Sequence, residues 1–309
     1  MSTLRIATRK SDLALAQARF VGRLVEERLG WKVELVPMST RGDRLKGPLK
    51  EAGGKGLFVK EIEEALLDGR ADLAVHSAKD LPALTPGGLE LSAFPDRADP
   101  RDALVARERG ATLAELPSGA RVGTGSVRRS ALLEAARPDL EVVSLRGNVP
   151  TRLAKLDAEN LDAVILACAG LDRLGYADRI DERISPDVML PAVAQGILAL
   201  ETRIGDERTA DLRALDDPRA ASAAAAERGF LIRVGGDCGV PMAAFAEHRE
   251  EDRLRVRGLV ISLDGKRAAK AECEVPVAEA REAGGRLAAQ VLAEGGSDIL
   301  AELRGASPS

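Results

Sequence analysis

The sequence predicts an α/β protein with two similar βα domains and a smaller α+β unit at the end of the chain. Short apolar runs alternate with segments of helical periodicity through the first two thirds of the chain. Three segments of the first half recur in the same order in the second half. A different pattern begins near residue 216, where alanine becomes frequent. We therefore predict a first domain at 1–97 plus about 195–215, a second at 98–194 and a third at 216–309.

The first domain is expected to begin with alternating strands and helices. In chain order, the predicted elements are a strand at 4–7, a helix at 12–29, a strand at 32–38, a helix at 57–67 and a strand at 72–76. Ser11 is well placed to cap the first helix, because a serine side chain accepts from the free N–H groups of a helix start. Lys79 and Asp80 lie on the loop that leaves the last of these strands.

The second domain repeats this pattern after a crossover at 94–101, where two prolines stand among charged residues. The corresponding segments are 5–11 with 121–130, 32–43 with 141–148, and 72–77 with 161–170. Coincidence between α/β segments is the alternative, but three matches in one order favour two domains of similar topology that face each other.

The rest of the chain is expected to return to the first domain and then form the third. A break at 191–196 precedes a predicted helical piece at about 199–213, which would return to the first domain. The predicted elements of the third unit are a helix from 218 to 231, strands at 253–261 and 267–275, and a helix at 278–292. A loop at 234–241 carries Cys238.

Composition excludes several classes of protein. The chain of 309 residues has a net charge of -4 and only one Trp, one Tyr and five Phe, which disfavours a nucleic-acid-binding protein. No apolar run approaches the ~20 residues of a membrane span. The three cysteines are widely spaced, which fits neither a disulfide framework nor a zinc site. With no apolar signal segment near Met1, we expect a cytoplasmic protein. Nothing in the sequence demands more than a monomer, which is the expected state.

Arginines lie where predicted strands end and helices begin. They are Arg9, Arg128, Arg129, Arg146 and Arg152, and Ser11, Thr124 and Ser126 accompany them. Helix N-termini favour anions, and arginine grips carboxylates in a bidentate manner. Each arginine alone could equally be a solvated or surface-paired residue. Their repetition in both halves predicts a polyanionic ligand in the cleft between the domains.

Two further residues are candidates for chemistry. Cys238 lies among Gly235, Gly236, Gly239 and Pro241, so its loop would present the thiol to modification or reaction. The alternative is a small residue that fills a tight turn. Asp80 is the best-placed acid or base, although turn carboxylates are common.

Two other features carry weaker predictions. His76 is expected to be a packing residue at a strand end. Residues 42–56 are rich in lysine and glycine with few apolar anchors, which predicts a mobile lid or, alternatively, a plain solvated loop.

Together these motifs resemble the porphobilinogen deaminase (hydroxymethylbilane synthase) family. The matching segments, in family order, are 5–9, 54–61, 76–82, 99–103, 122–129, 144–148, 191–196 and the Cys238 loop. The resemblance implies two type II periplasmic-binding-protein-like α/β domains with a small C-terminal α+β domain. It also implies head-to-tail condensation of four porphobilinogen molecules with loss of ammonia, and release of hydroxymethylbilane in tetrapyrrole synthesis.

The resemblance further implies a dipyrromethane cofactor joined by a thioether to Cys238, with Asp80 as the catalytic carboxylate. By motif position, the cofactor-binding residues would be Lys79, Asp80, Thr124, Ser126, Arg128, Arg129 and Arg146. The substrate-binding residues would be Arg9, Ser11, Arg146, Arg152, Arg173 and Gln195. Asp43, Lys55 and Phe58 would belong to the lid. No metal is implied.

Two departures from the family pattern concern loop geometry. Asp237 precedes Cys238 and Gly239 follows it, where the family loop commonly has Gly and Gln. Ala78 stands where Met is often found. The alternative functions are a non-catalytic, two-lobed anion-binding or effector-sensing module, and an acyl- or alkyl-transferring enzyme with Cys238 as nucleophile. The latter would normally need a histidine partner.

Overall fold

The structure is a computed structural model, and it describes residues 3–40, 42, 59–235 and 240–305. Of the predicted site residues, Asp43, Lys55, Phe58 and Cys238 lie outside the described residues, as does nearly all of the segment predicted as a lid.

The first domain contains a five-stranded sheet. Its strands are β1 (Leu4–Arg9), β2 (Val33–Met38), β3 (Leu73–Ser77), β4 (Leu89–Ala93) and β10 (Leu198–Arg203). The order across the sheet is β2-β1-β3-β10-β4. β1 is parallel to β2 and β3, whereas β10 is antiparallel to β3 and β4. The last strand to join this sheet therefore comes from far along the chain.

Helices α1 (Asp12–Leu29) and α2 (Lys60–Leu67) cover opposite faces of this sheet. Ile6 packs in the cluster that contains the buried face of α1, and Ala7 in the cluster that contains α2. Consecutive strand residues point to opposite faces, so each helix shields one side. Ser11 accepts a hydrogen bond from the Ala14 N–H at 3.4 Å, which confirms the predicted cap.

The second domain contains a sheet of the same design. Its strands are β5 (Asp102–Ala106), β6 (Arg121–Thr124), β7 (Glu141–Ser144), β8 (Ala163–Ala167) and β9 (Glu182–Arg183). Its helices are α3 (Val127–Ala136), α4 (Val149–Ala158) and α5 (Cys168–Arg173). The order β7-β6-β8-β5-β9 matches the first sheet strand for strand, and β5 corresponds to β10. The internal repeat is thus confirmed.

Two crossover segments join the domains, and they run side by side. Arg97 forms an isolated antiparallel bridge with Ile197, and the Ala98 N–H donates to the Gly196 carbonyl at 3.1 Å. Gly196 has a φ of +86°, and a Cβ there would collide with the Ala98 carbonyl oxygen. The close approach of the two crossovers therefore requires glycine at this position.

The prediction of a helical piece at 199–213 is wrong for its first part. Residues Leu198–Arg203 form β10, and only the short helix α6 (Thr209–Leu212) and a 3-10 turn (Arg213–Leu215) follow. Alanine, leucine and glutamate favour helices in isolation, but here the segment pairs on both edges and is buried, so tertiary packing overrides propensity. Its return to the first sheet is confirmed.

The third unit is an antiparallel sheet packed with three helices. Its elements are α7 (Pro218–Val234), β11 (Met242–His248), β12 (Arg253–Ile261), β13 (Ala268–Pro276), α8 (Ala280–Val291) and α9 (Ser297–Gly305). Phe230 of α7 is fully buried against Gly258 of β12, where a side chain would enter the phenyl ring. Strand β11 and helix α9 were not predicted. Two α/β sheets with a smaller α+β unit confirm the predicted fold class, while the exact domain boundaries stay a prediction.

Glu227 of α7 attaches the third unit to both crossovers. Its buried carboxylate accepts from the Ala194 N–H at 2.5 Å and the Ala246 N–H at 2.8 Å, and it pairs with Arg97 at 2.8 Å. Burial raises the pKa of Glu227, and Arg97 opposes this shift. The Arg97 guanidinium also lies 5.0 Å from the centre of the Phe245 ring. One carboxylate thus holds three parts of the chain together.

Within the described part of the chain, no helix has the length and apolar character needed to cross a bilayer.

Two neighbouring glycines of α8 should respond oppositely to alanine. A Cβ at Gly284 would collide with the Ala226 carbonyl oxygen of α7, whereas a Cβ at Gly285 meets nothing within 4 Å. We expect Gly284→Ala to lower the free energy of unfolding by about 1–3 kcal/mol through overpacking. Gly285→Ala should raise it by about 0.5–1 kcal/mol through helix propensity. Urea denaturation followed by circular dichroism measures both, and equal effects would contradict the packing described here.

Candidate active site

The candidate site lies where strands of both sheets end. In the first domain, Arg9 ends β1, Ser77 ends β3, and Asp80 lies in a 3-10 turn (Ala78–Asp80) directly after β3. The cleft here has about 410 Å³ of empty space, part of it open to solvent, and it is lined by Arg9, Ser11, Leu13, Ala14, Gln17, Val59, Ile62, Val75, His76, Ser77 and Asp80. The carboxyl ends of parallel strands are where α/β proteins commonly bind ligands.

Charges from both domains act on one another around Asp80. Burial lowers the pKa of Arg152, and Arg129 lowers it further while Asp80 opposes the shift. Burial also lowers the pKa of Lys79 to about 8, again with Arg129 lowering and Asp80 raising it. Arg152 is on α4 of the second domain and Asp80 is in the first. Among the described residues, cationic groups of both domains therefore act on the Asp80 carboxylate of the first domain.

Asp102, the first residue of β5, organises the second domain's side of the cleft. It is 0% exposed, and its Oδ2 accepts from Arg128 Nη2 at 2.7 Å. Its Oδ1 accepts from Arg129 Nη2 at 2.7 Å and from Gln195 Nε2 at 2.9 Å. Burial alone would raise the pKa of Asp102, but Arg128 and then Arg129 outweigh it and hold the pKa at about 2. The carboxylate is thus ionised and fully paired.

Arg128 and Arg129 are buried in this cluster. They are 4% and 5% exposed, and they also donate to backbone carbonyls, Arg128 to Leu190 at 2.6 Å and Arg129 to Ile165 at 3.1 Å. Their guanidinium groups are directed by the protein itself. The sequence alone predicted that these arginines bind a ligand, and it did not reveal their partners within the protein.

The serine and threonine residues predicted beside the arginines have local partners. Ser126 caps α3 by accepting from the Arg129 N–H at 3.5 Å, and Thr124 Oγ1 accepts from the Ser126 N–H at 3.3 Å. Ser11 caps α1, as described above. These bonds hold the helix starts at the cleft, and the predicted contacts of these residues with a ligand stay predictions.

The other predicted ligand-binding residues fall into two groups. Gln195 belongs to the return crossover, and Arg173 contacts both crossovers, since its Nη2 donates to Asp96 at 3.0 Å and to the Gly196 carbonyl at 2.7 Å. Arg9 is half-buried and lines the cleft, Arg146 is exposed, and Arg152 donates from Nε to the Gly147 carbonyl at 2.8 Å. The structure brings Lys79, Asp80 and the arginines to one cleft, and it places Arg173 against the two crossovers.

Sequence reasoning gave no role to Asp102 or to the buried acidic groups around His76. Asp102 stands in the 99–103 motif, but only its burial beside two arginines reveals its importance. His76 Nε2 lies 3.0 Å from Glu201 Oε2, and both side chains are buried. Burial raises the pKa of the nearby Glu63 to about 7, and Glu201 raises it further. Glu201 was hidden because its strand was mistaken for a helix.

The fold and site define a two-lobed protein with a cationic cleft, and comparison with known proteins gives the family. The family model "Porphobilinogen deaminase, dipyromethane cofactor binding domain" matches residues 4–211, and the model of the porphobilinogen deaminase C-terminal domain matches residues 221–293. The chain belongs to the porphobilinogen deaminase family.

Curated relatives agree over nearly the full length. The porphobilinogen deaminase of Syntrophotalea carbinolica is 53% identical over 98% of this chain and 96% of its own. That of Geotalea uraniireducens is 48% identical over 98% and 95%. Among solved structures, the periplasmic aliphatic sulphonate binding protein SsuA of Escherichia coli is 19% identical, with a TM-score of 0.41 over 72% of this chain and 68% of that one. This last likeness is too weak to support an inference.

Removal of the Asp102 charge should destabilise the protein. Asp102→Asn would leave two buried guanidinium groups without a counter-ion, and we expect a loss of about 3–5 kcal/mol in the free energy of unfolding. The control is Glu279→Gln, which breaks the Arg286–Glu279 pair, whose side chains are 58% and 50% exposed. That loss should be under about 1 kcal/mol. Chemical denaturation measures both, and similar losses would contradict the importance of Asp102.

Glu63 should make stability depend on pH. Because its pKa is raised to about 7 in the folded state, the folded protein holds a proton that the unfolded chain releases near its ordinary 4.5. Stability should therefore fall as pH rises from about 4.5 to 7. Glu63→Gln should remove this part of the fall, whereas Glu64→Gln, at an exposed neighbour, should not. Thermal denaturation at several pH values tests this, and parallel curves for Glu63→Gln and wild type would refute it.

Proposed function

We propose that this chain is a porphobilinogen deaminase that works with Asp80 as its catalytic carboxylate. It joins four porphobilinogen molecules head to tail with loss of ammonia and releases hydroxymethylbilane by hydrolysis. The proposal rests mainly on the family match over both parts of the chain, combined with the position of Asp80 after β3, where cations of both domains act on it.

The residues of the cleft fit a dipyrromethane cofactor and a growing oligopyrrole. Each pyrrole unit carries an acetate and a propionate group, so the bound chain is a polyanion. Among the described residues, Lys79 and Arg152 interact electrostatically with Asp80, and Arg146 acts on Arg152. When bound through Cys238, the cofactor supplies a free pyrrole α-carbon as the primer for elongation. We assign the binding of the cofactor to Lys79, Asp80, Thr124, Ser126, Arg128, Arg129 and Arg146.

Asp80 would act on the charge that develops during loss of ammonia. As the amino group of the substrate's aminomethyl side chain departs as ammonia, the methylene carbon stays on the ring and positive charge grows on the pyrrole nitrogen. A carboxylate held at a strand end is preorganised to stabilise that charge. It can also accept the pyrrole α-proton that is lost when the new carbon–carbon bond forms. The half-buried position of Asp80 keeps it accessible to the substrate within the cleft.

The arginines would orient the carboxylates of substrate and product. We assign substrate binding to Arg9, Ser11, Arg146, Arg152, Arg173 and Gln195. Arg9 and Ser11 line the cleft of the first domain, and Arg152 approaches from the second. Residues on both sides would then grip one ligand, so that domain closure and binding are linked. We further propose that Asp43, Lys55 and Phe58 cover the cleft and that the enzyme is a cytoplasmic monomer.

The intact mass of the purified protein tests the cofactor. We expect an excess equal to two linked pyrrole units in the wild type and none in Cys238→Ser. Cys273→Ser is the matched control, because Cys273 is half-buried in β13, and it should keep the adduct. An unmodified wild-type chain would overturn the proposal in favour of a non-catalytic anion-binding module. A wild-type adduct of any other mass would instead favour the use of Cys238 as a nucleophile.

Replacement of Asp80 tests the catalytic assignment. Asp80→Asn should keep the adduct and lower kcat by at least about 100-fold, because the side chain loses its charge and its ability to accept a proton. Asp211→Asn, at an exposed aspartate of α6, should leave kcat unchanged. Kinetics with porphobilinogen measure both, and a near-normal kcat in Asp80→Asn would mean that another group does the chemistry.

A further inference from the structure

The side-chain amide of Gln195 joins the two sides of the cleft. Its Nε2 donates to Asp102 Oδ1 at 2.9 Å and to the Pro100 carbonyl at 2.7 Å. Its Oε1 accepts from Lys79 Nζ at 3.3 Å. Lys79 follows β3 in the first domain, and Asp102 begins β5 in the second. A single neutral side chain therefore connects a cation of one domain to a carboxylate of the other.

The orientation of this amide follows from its neighbours. Two acceptors lie on one side and a donor on the other, so only the orientation with Nε2 toward Asp102 satisfies all three. The reverse orientation would set the amide NH₂ against an ammonium and its oxygen against a carboxylate. The group is thus fixed chemically as well as sterically.

The backbone on both sides of Gln195 is fixed too. Ala194 has a φ of +57°, and its N–H is held by Glu227; Gly196 has a φ of +86° and bonds to Ala98. Gln195 itself is 1% exposed. The side chain projects from a crossover segment that is anchored before and after it. A change in the relative orientation of the two domains would therefore move this amide relative to Lys79 or Asp102.

Lys79 depends on Gln195 for its position. In the described part of the chain, the one hydrogen bond of its Nζ goes to Gln195 Oε1. Arg129 and Arg128 of α3 repel its positive charge, while Asp80 of its own turn and Asp102 of β5 attract it. An ammonium has three donors, so two can serve a carboxylate of a ligand.

We propose that Gln195 is a positioning residue for Lys79: it holds the Lys79 ammonium away from Asp102, protonated and directed into the cleft. This inference rests on the proposed function, and it replaces direct substrate contact as the main task of Gln195. Without the amide, Lys79 would either pair directly with Asp102 or lose its acceptor. A glutamate at this position would place a second carboxylate beside Asp102 and would hold Lys79 as an ion pair.

The pH dependence of kcat/KM for porphobilinogen tests the proposal. In the wild type, activity should fall on the alkaline side as Lys79 loses its proton. Gln195→Met removes the acceptor, so this limb should shift to lower pH by about one unit, and kcat/KM near neutral pH should fall about 10-fold or more. Gln195→Glu adds negative charge, so the limb should shift to higher pH. The matched control is Gln290→Met on the surface of α8, which should change neither.

The outcomes separate this proposal from the proposed function. A wild type with neither adduct nor turnover would refute the function itself. A Gln195→Met enzyme with a normal adduct and an unshifted alkaline limb would overturn the positioning role alone, whatever its rate. If Gln195→Met does not fold, an upward shift in Gln195→Glu still supports the proposal, and an unshifted or lowered limb overturns it. Failure of both variants to fold would make Gln195 a structural residue and overturn the proposal as well.

Discussion

The buried carboxylate of Asp102 is the constraint on which the site depends. Two guanidinium groups removed from water are costly unless a counter-ion and full hydrogen bonding compensate them. Asp102 supplies the counter-ion and part of the hydrogen bonding to Arg128 and Arg129, and Gln195 also donates to its Oδ1. Because the cluster keeps a surplus of positive charge, it also sets the electrostatic character of the cleft. Fold stability and anion binding therefore depend on one cluster.

The same region is where the chain passes between domains. The fourth strand of each sheet, β10 or β5, directly follows a crossover. Each of these strands is therefore the first element that the chain forms after it passes from the other domain. The two crossovers are bonded to each other, and Glu227 fixes both to the third unit. Such paired connections act as hinges in two-lobed proteins. In this chain the return crossover carries Gln195 and contacts Arg173, so the connection between the domains and the site share residues.

Much of the fold could be predicted, because its determinants are local or repeated. The 12–29 helix was predicted with its observed bounds, since periodic apolar residues and a capping serine are local signals. The repeat between the halves predicted two similar domains, and the sheet orders confirm it. The helix predicted at 199–213 is wrong for its first part. The residues there favour a helix, but pairing with β3 on one side and β4 on the other makes them a strand. The short edge strand β9 and strand β11 have too little local signal.

For the site, the sequence by itself determined which chemical groups are present: a carboxylate after β3, arginines at helix starts and a cysteine between glycines. These are set by residue type and spacing, and the family motifs depend on nothing else. Only the tertiary structure decided how the charges pair. Arg128 and Arg129 face Asp102 because α3 packs against the start of β5, 26 and 27 residues away in the chain. Gln195 lies between Asp102 and Lys79 because the return crossover meets β5 and the turn after β3, at separations of 93 and 116 residues. The burial and pairing of these charges depend on contacts between distant parts of the chain, so they cannot be read from the local sequence.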